Sequence, residues 1–383
     1  TEIYTLSLHD ALPIWVVSRR TARKRSLSGT EFGTDQNLAK KGNLVKKTIV
    51  ESILGVDLHV APQTHYFPVV TDPISRAKGY LLSLQTSDGY WQALLEMDVR
   101  QTAEYLFLKH FFNQVNEEEQ KRMVHYIVSK ELTGGGWSIF PGGLADISTT
   151  VSAYYALKLA GFSADHPVLK RAKEVILGQG GIMKANCFTR SYLQLFGQME
   201  ADALPAMPVE IMLLPKWFPF NIYAISSWSR AIMVPLLVIS AMREKIAPIK
   251  GPSCQELYPE GCSPCKQPVQ YIPKIFSWHN LFLVLNHVAK LYDKHPVQWI
   301  RKMALRKAHK FIVEHMGREG GVAAIFPSMV NSCIALYHMG YDTDHPLIEN
   351  EMKAMDGLKV DEGESRWMRS EEHTSELQSR QSI

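Results

Sequence analysis

Apolar residues from Ile74 onward recur at three- and four-residue spacing, which predicts α-helices separated by glycine-rich turns. Ile74, Ala77, Leu81 and Leu84 fall on one helical face. The segments EQKRMVHYIVSKEL and HPVLKRAKEVILGQ repeat that layout, and the second has a proline in its first turn. The strict alternation typical of strands is hard to find. The pattern therefore predicts an all-α fold.

An internal repeat extends this prediction to the architecture. Ala156–Val175 matches Ala335–Ala354 at a constant offset of 179 residues. Each copy is a helix that ends at Gly161 or Gly340, followed by a short polar turn and a helix that begins with proline. Recurring helix pairs bury their apolar stripes by stacking, so we expect a solenoid or a closed toroid of paired helices.

A second recurrent pattern joins a helix end to glycines and a tryptophan. Gln85 precedes the sequence GYW, which ends in Trp91, and Glu131 precedes GGGW, which ends in Trp137. Gln179 precedes two glycines in a copy that has no tryptophan. A glutamine at a helix end can bond the orphan backbone groups, and the tryptophan ring can lie over its amide on the glycine-rich turn. We interpret the pattern as a structural staple between stacked helix pairs.

Composition limits the class of protein. Hydrophobic residues make up 46% of the chain and the formal net charge is +4. Five cysteines, odd in number, favour a reducing compartment. No apolar run reaches the length of a membrane span. The most apolar stretch, Ala231–Ala241, has eleven residues and a proline, and is either a buried helix or part of a membrane-facing surface.

The two ends differ from the rest of the chain. Residues 1–14 and 369–383 resemble in-frame translations of a sequencing-library adapter, so we expect them to pack on nothing and residues 15–368 to be a piece of a longer gene. Residues 15–73 form a basic, weakly apolar lead, which we expect to be a disordered arm. Attraction to anionic lipid is the alternative function of this lead.

Several long segments carry a resemblance. In chain order they are YLLSLQTSDGYW, GGGWSIFPGGLADISTTVSAYYALKLAGF, GQGGIMKANCFTR, MPVEIMLLPKWFPFNIYAISSWSR and GGVAAIFPSMVNSCIALYHMGYDTDHP. Together with the glutamine–tryptophan repeats they resemble the triterpene cyclases, and in detail the bacterial squalene-hopene cyclases. The resemblance implies two α/α-barrels, one inserted into the other, around a large apolar cavity. Residues 74–325 would then be the inserted barrel, and residues 326–368 the start of the return to an incomplete catalytic barrel.

The resemblance also implies a chemistry. The family protonates a terminal alkene of squalene and closes rings through carbocations, giving hopene- or hopanol-type pentacyclic products. This needs a strong acid from an Asp-x-Asp-Asp motif and a dry aromatic cavity, but no cofactor and no nucleic acid. The motif does not occur in these 383 residues, and Asp342-Thr343-Asp344 is better interpreted as a turn cap. We therefore predict no catalytic residue in this chain and no activity of the chain alone.

Candidate cavity residues follow from the same segments. Tyr192 matches a family position at which an aromatic side chain, commonly tryptophan, faces the substrate. Ile325, Phe326 and Pro327 match a segment that lines the cavity, and a proline after apolar residues is a poor fit to the middle of a core helix. Ordinary core packing is the alternative for all four.

Membrane association is implied as well, because squalene dissolves in bilayers and the family is monotopic. Trp217, Phe218 and Phe220 are the membrane-facing candidates. The expected location is the cytoplasmic side of the bacterial inner membrane, with squalene or a similar polyprenoid as partner. The resemblance also allows a homodimer.

A zinc site is the remaining candidate. Cys254, Cys262 and Cys265 lie near His279, but the C-x7-C-x2-C spacing does not fit a zinc motif and falls in a Pro/Gly-rich loop. We predict a mobile surface loop without metal, in which serine substitutions change stability within about ±0.5 kcal/mol.

Two other functions stay open at this point. One is a cyclase for another polyprenoid, with the same barrel and a different cavity shape. The other is a non-catalytic α/α toroid that binds lipid or protein. An Asp-x-Asp-Asp motif encoded downstream would select an enzyme, and its absence would select the binding protein.

Overall fold

The computed structural model describes residues 71–85, 89, 91, 96, 98–218, 221–242, 249–260, 278–316 and 321–369. These residues contain eleven α-helices and one two-stranded hairpin. The elements are α1 (Thr71–Ser83), α2 (Arg100–Phe111), α3 (Glu117–Ser129), α4 (Ile147–Leu159), α5 (Pro167–Gly178), α6 (Cys187–Leu195), α7 (Ser227–Met242), α8 (Trp278–Lys294), α9 (Gln298–His315), α10 (Phe326–His338), α11 (Pro346–Asp356), β1 (Lys359–Glu362) and β2 (Ser365–Met368). Helix α1 and the turn at Trp91 belong to one compact unit, and the elements from α2 to β2 belong to another.

Six helices of the larger unit fall into two classes of burial. Nine residues of α2 are buried, as is nearly every residue of α4 and α10, so these helices are covered on all sides. Helices α3, α5 and α11 bury only one face. Helices α2, α4 and α10 pack against α3, α5 and α11 respectively, and α2 also contacts α4 and α10. Each of these three pairs therefore consists of an inner helix covered by an outer one.

The two segments that match in sequence also match in backbone geometry. Gly161 and Gly340 both have φ 94°, a left-handed conformation that ends the preceding helix at little cost for glycine. The next residues, Phe162 and Tyr341, donate their backbone N–H to the carbonyl five residues earlier, at 3.0 and 3.1 Å. Helices α5 and α11 then each begin with proline. The same helix–turn–helix unit thus occurs at both places.

The predicted helix-rich class is confirmed, and residues 359–368 add one short hairpin that the sequence pattern did not indicate. Strands β1 and β2 pair antiparallel, with Lys359 opposite Met368, and the turn between them contains Gly363 at φ 56°. Trp367 is buried against α3 and stacks on Tyr126 with ring centroids 6.0 Å apart. Each strand has only four residues, too short for an alternating pattern to stand out.

The hairpin also corrects one predicted boundary. Arg369, assigned to the adapter-like end, is buried and donates its backbone N–H to the Leu358 carbonyl at 2.9 Å. Its guanidinium donates to the Gly357 carbonyl at 2.8 Å. The expectation that this residue packs on nothing is therefore wrong, because it extends the hairpin hydrogen bonds. Residues 1–14 and 370–383, and most of the predicted basic lead, lie outside the described residues.

Ala231–Ala241 forms most of α7, which packs on α9 and α10. Eight of the residues from Ala231 to Ser240 are buried. The interpretation of this stretch as a buried helix is confirmed. In the part of the chain that the structure describes, no helix combines the length and hydropathy that a membrane span requires.

Candidate functional site

A buried hydrogen bond brings two of the predicted cavity segments together. The Tyr192 hydroxyl on α6 donates to Asn331 Oδ1 on α10 at 3.0 Å, and both side chains are buried. Asn331 lies one turn after Pro327 on the same helix. Ile325 and Phe326 are also buried, whereas Pro327 is half-buried in the first turn of α10. This hydrogen bond thus joins Tyr192 on α6 to the helix that begins at Phe326, and the role of these residues in lining a cavity stays a prediction.

The ring of Tyr192 lies at the edge of an aromatic cluster centred on Phe107. The ring of Phe107 on α2 lies with its centroid 6.0 Å from that of Tyr192. Phe107 also contacts Tyr155 and Phe196, at centroid distances of 5.6 and 6.0 Å. Burial raises the pKa of Tyr192 well above its usual value of 10, and the charge of Glu104 adds to this effect. Tyr192 therefore stays a neutral hydroxyl, and its ring is part of an aromatic cluster with π faces of the kind that stabilise cations.

Sequence reasoning missed the buried carboxyl of Glu104. This side chain lies on α2 and is only 8% exposed. Burial raises its pKa from 4.5 to about 8, the Arg100 charge opposes the rise, and Asp98 adds to it. Arg100 is already bonded to Asp98, at 2.7 Å between Nη2 and Oδ2. Glu104 is therefore a neutral acid near neutral pH, and a lone glutamate within a helix gives no sequence signal of this kind.

The tryptophans of the repeat turns make equivalent hydrogen bonds. The Trp137 indole N–H donates to the Ile127 carbonyl at 2.7 Å, and the Trp91 indole N–H donates to the Leu81 carbonyl at 2.5 Å. In both cases the acceptor lies ten residues earlier, in the preceding helix. Gln85 Nε2 donates to the Gly89 carbonyl within its own turn, at 2.6 Å. The indole thus satisfies a carbonyl near the helix end, a contact that we did not predict.

The other repeat side chains connect neighbouring helices. Glu131, after α3, pairs with Arg171 of α5, with oxygen–nitrogen distances of 2.6 and 2.8 Å. Gln179, after α5, donates to the Ala145 carbonyl just before α4, at 2.8 Å. The first contact links one helix pair to the next, as the interpretation of a structural staple requires, whereas the second stays within the pair of α4 and α5.

Three glycines occupy equivalent turns. Gly136, Gly181 and Gly321 have φ of 76°, 84° and 76°, and each precedes a fully buried tryptophan, isoleucine or valine. A Cβ atom on Gly181 would lie 2.3 Å from a ring carbon of Pro259. The turn at Gly321 is a further copy that we did not predict, because it has neither the glutamine nor the tryptophan.

Exposed apolar side chains lie on two other parts of the larger unit. Trp217 is 77% exposed and its ring packs edge-on against Phe218 at 6.1 Å, while Phe220 lies outside the described residues. Along α8, exposed apolar residues recur at helical spacing, and they are Leu281, Val284, Leu285, Val288 and Leu291. This helix is not among the membrane-facing candidates predicted from the sequence.

The prediction of a mobile surface loop is wrong at Cys254. Its side chain is buried, and its backbone N–H donates to Gln198 Oε1 at 2.9 Å. Burial raises the pKa of the thiol. Five residues earlier, Ile249 donates its backbone N–H to the carbonyl of Leu195, and this bond holds the segment against the end of α6. Cys262 and Cys265 lie outside the described residues, among which no group of three potential metal ligands occurs.

Comparison with known proteins identifies the family. Residues 74–364 match the squalene-hopene cyclase N-terminal domain. The chain belongs to the squalene-hopene cyclase family. It is 35% identical over 307 residues to the squalene–hopene cyclase of Zymomonas mobilis, covering 78% of this chain and 45% of that protein. The resemblance noted in the sequence is thereby confirmed.

Two further squalene–hopene cyclases are similar to this chain. Identity is 33% over 293 residues to the protein of Bradyrhizobium diazoefficiens, covering 76% of this chain and 44% of that protein. It is 32% over 302 residues to the protein of Alicyclobacillus acidocaldarius, covering 79% and 46%. The chain therefore spans about half the length of the curated relatives it matches.

Proposed function

We propose that this chain forms the inserted barrel of a cyclase that protonates squalene, or a similar polyprenoid, and closes it to hopene- or hopanol-type products. The observation that carries the proposal is the family match over residues 74–364. The names of the three bacterial relatives supply the substrate and the product class.

The burial pattern supports a barrel of paired helices. In a closed α/α toroid, one helix of each pair lines the interior and the other covers it. Helices α2, α4 and α10 have the burial expected of interior helices, and α3, α5 and α11 have that of covering helices. The identical turns at Gly161 and Gly340 support a repeated unit.

The contacts of Tyr192 support a role in cavity lining. Squalene has no polar group, so a cavity for it must bind through apolar and aromatic surface. The hydrogen bond to Asn331 fixes the Tyr192 hydroxyl, and with it the orientation of the ring. We propose that Tyr192, Ile325, Phe326 and Pro327 face the substrate once the cavity is complete.

The chain alone should not turn over squalene. Alkene protonation needs an acid stronger than an ordinary carboxyl group, and the sequence contains no Asp-x-Asp-Asp motif. Glu104 cannot replace it, because a pKa of about 8 makes this group a weaker acid than an ordinary glutamic acid. A complete cyclase would need its acid from sequence outside these 383 residues.

The exposed apolar residues support membrane association. Squalene is delivered from the bilayer, so a monotopic cyclase needs an apolar surface that enters the lipid without crossing it. The apolar stripe of α8 and the exposed Trp217 have this character. We propose that they face the cytoplasmic side of a bacterial inner membrane. A homodimer stays a prediction.

Expression of two proteins tests the proposal. The complete reading frame, recovered with its flanking DNA, and the present chain are each incubated with squalene, and the lipid extracts are analysed by gas chromatography with mass spectrometry. We expect pentacyclic hydrocarbon from the complete protein only, and none from a control in which the first aspartate of its acid motif is replaced by asparagine. Product from the present chain would refute the assignment of the acid. No product from a folded complete protein would favour another polyprenoid, and the absence of any acid motif would favour a non-catalytic toroid.

A further inference from the structure

A small basic cavity lies where the chain leads into α7. Its volume is about 270 Å³, and its lining residues are Lys216, Asn221, Tyr223, Ala224 and Arg230. None of these residues belongs to the predicted substrate cavity or to the repeat turns. Neither the proposed substrate binding nor the repeat turns account for this cavity.

Two cations, Lys216 and Arg230, line this cavity, and a third, Lys307, lies over the ring of the lining residue Tyr223. The Lys216 ammonium lies 6.0 Å from the ring centroid of Tyr223, and the ammonium of Lys307 on α9 lies 5.1 Å from the same centroid. Arg230 Nη1 donates to the backbone carbonyls of Tyr223 and Ile225 at 3.3 and 3.0 Å, which fixes the guanidinium beside them. Because both ammonium groups lie within 6.0 Å of the same ring centroid, a bound anion would offset the repulsion between them.

No carboxylate of the described residues pairs with these three cations. Within the described ranges, neither lysine nor Arg230 forms an ion pair with an aspartate or glutamate. Elsewhere on the same helix α9 the pattern is different, since Arg301 pairs with Glu210 and Asp293, and Lys310 with Glu314. The cavity is thus a site where positive charge is left for an anionic ligand.

Exposed apolar side chains accompany each cation. Trp217 follows Lys216 directly, and the exposed Trp228 lies two residues before Arg230. Trp299, 66% exposed, lies two turns before Lys307 on α9. Tryptophan prefers the interface between lipid headgroups and acyl chains. Cations with exposed tryptophans close to them in sequence fit a ligand with an anionic head and an apolar tail better than a free anion.

We infer that this cavity binds the phosphate headgroup of an anionic phospholipid. The inference rests on the proposed membrane association and adds a specific lipid to it. Lys216 and Lys307 would contact the phosphate with their ammonium groups, and Arg230 would hold the cavity wall in place. The acyl chains would run along the neighbouring tryptophans.

Native mass spectrometry in a nonionic detergent tests the site, because it counts individual bound lipids. The chain is titrated with phosphatidylglycerol, phosphatidylcholine or inorganic phosphate. We expect the first phosphatidylglycerol to bind at least about tenfold more tightly than phosphatidylcholine, and inorganic phosphate to bind more weakly than phosphatidylglycerol. The double variant Lys216→Gln/Lys307→Gln should lose this preference, since two basic side chains account for roughly 10- to 30-fold in affinity. Both lysines are exposed, so the variant should fold normally.

A matched variant provides the control. Lys302→Gln/Arg306→Gln removes the same charge from exposed positions on α9 and should change the affinity by no more than about twofold. Equal losses in the two double variants would show diffuse surface charge and overturn the inference. Inorganic phosphate binding as tightly as phosphatidylglycerol would indicate a free-anion site and also overturn it, as would no preference for the anionic lipid. Flotation of the same chain with neutral vesicles reports on the proposed membrane association separately.

Discussion

Replacing Glu104 by glutamine should remove a component of the pH dependence of stability that originates in one buried carboxyl group. Burial raises the pKa of Glu104 from 4.5 to about 8 in the folded chain. The folded state therefore keeps this proton at pH values where the unfolded chain releases it. The stabilisation is fully present below pH 4.5 and is lost as the pH rises towards 8. The glutamine variant has no proton to release.

The window for the measurement is set by a second buried group. Burial lowers the pKa of His338 from 6.5 to about 4, so its contribution to stability has the opposite sign and falls below pH 6.5. Between pH 6.5 and 8, Glu104 is therefore the one of these two groups that makes the stability change with pH. At about 1.4 kcal/mol per pH unit, the free energy of unfolding should fall by roughly 2 kcal/mol across that window. Because Glu104 is only 8% exposed, solvent screens little of this effect.

Urea unfolding followed by tryptophan fluorescence gives the free energy of unfolding at each pH. We expect the native chain to lose stability from pH 6.5 to 8, and the Glu104→Gln variant to stay nearly flat. Glu174→Gln, at an exposed position on α5, should keep the slope of the native chain. Parallel slopes for the native chain and Glu104→Gln would refute the reasoning, because Glu104 would then ionise as it does in water.

Three further predictions concern the repeat turns and the cysteines. Trp137→Phe should cost about 1–3 kcal/mol of stability because it leaves a buried carbonyl without its donor, whereas Trp91→Phe should cost less than about 1 kcal/mol, since Trp137 is 1% and Trp91 43% exposed. Equal losses in urea unfolding would contradict this. Gly181→Ala should cost more than about 2 kcal/mol because its φ is 84° and a Cβ would meet a proline ring at 2.3 Å, while Gly178→Ala, with nothing within 4 Å, should be neutral or slightly stabilising. A tolerated Gly181→Ala would show that the turn can shift. Cys254→Ser should cost about 1–3 kcal/mol, more than expected for a surface loop, because a hydroxyl would be buried. A chelator should leave the melting temperature of the native chain unchanged. A lower melting temperature in the presence of chelator would support a metal site.

Local properties of the chain could be predicted from the sequence. Helical spacing of apolar residues depends on neighbours within a few positions, so the helices from Ile74 onward could be anticipated. Gly161 and Gly340 could be recognised as helix ends because glycine accepts left-handed backbone more readily than other residues. The family was evident for a related reason, since its segments are contiguous in sequence and needed no knowledge of contacts.

Tertiary structure decided the properties that depend on distant segments. Burial of Glu104 and Cys254 depends on the helices that cover them, and neither residue lies in a pattern that reveals this. Lys216 and Lys307 meet at one ring although 91 positions separate them in the chain. Exposure of the apolar stripe on α8 is likewise a matter of which elements pack beside it. A side chain's protonation and ligands follow from the dielectric and charges around it, and the three-dimensional packing of the chain sets both.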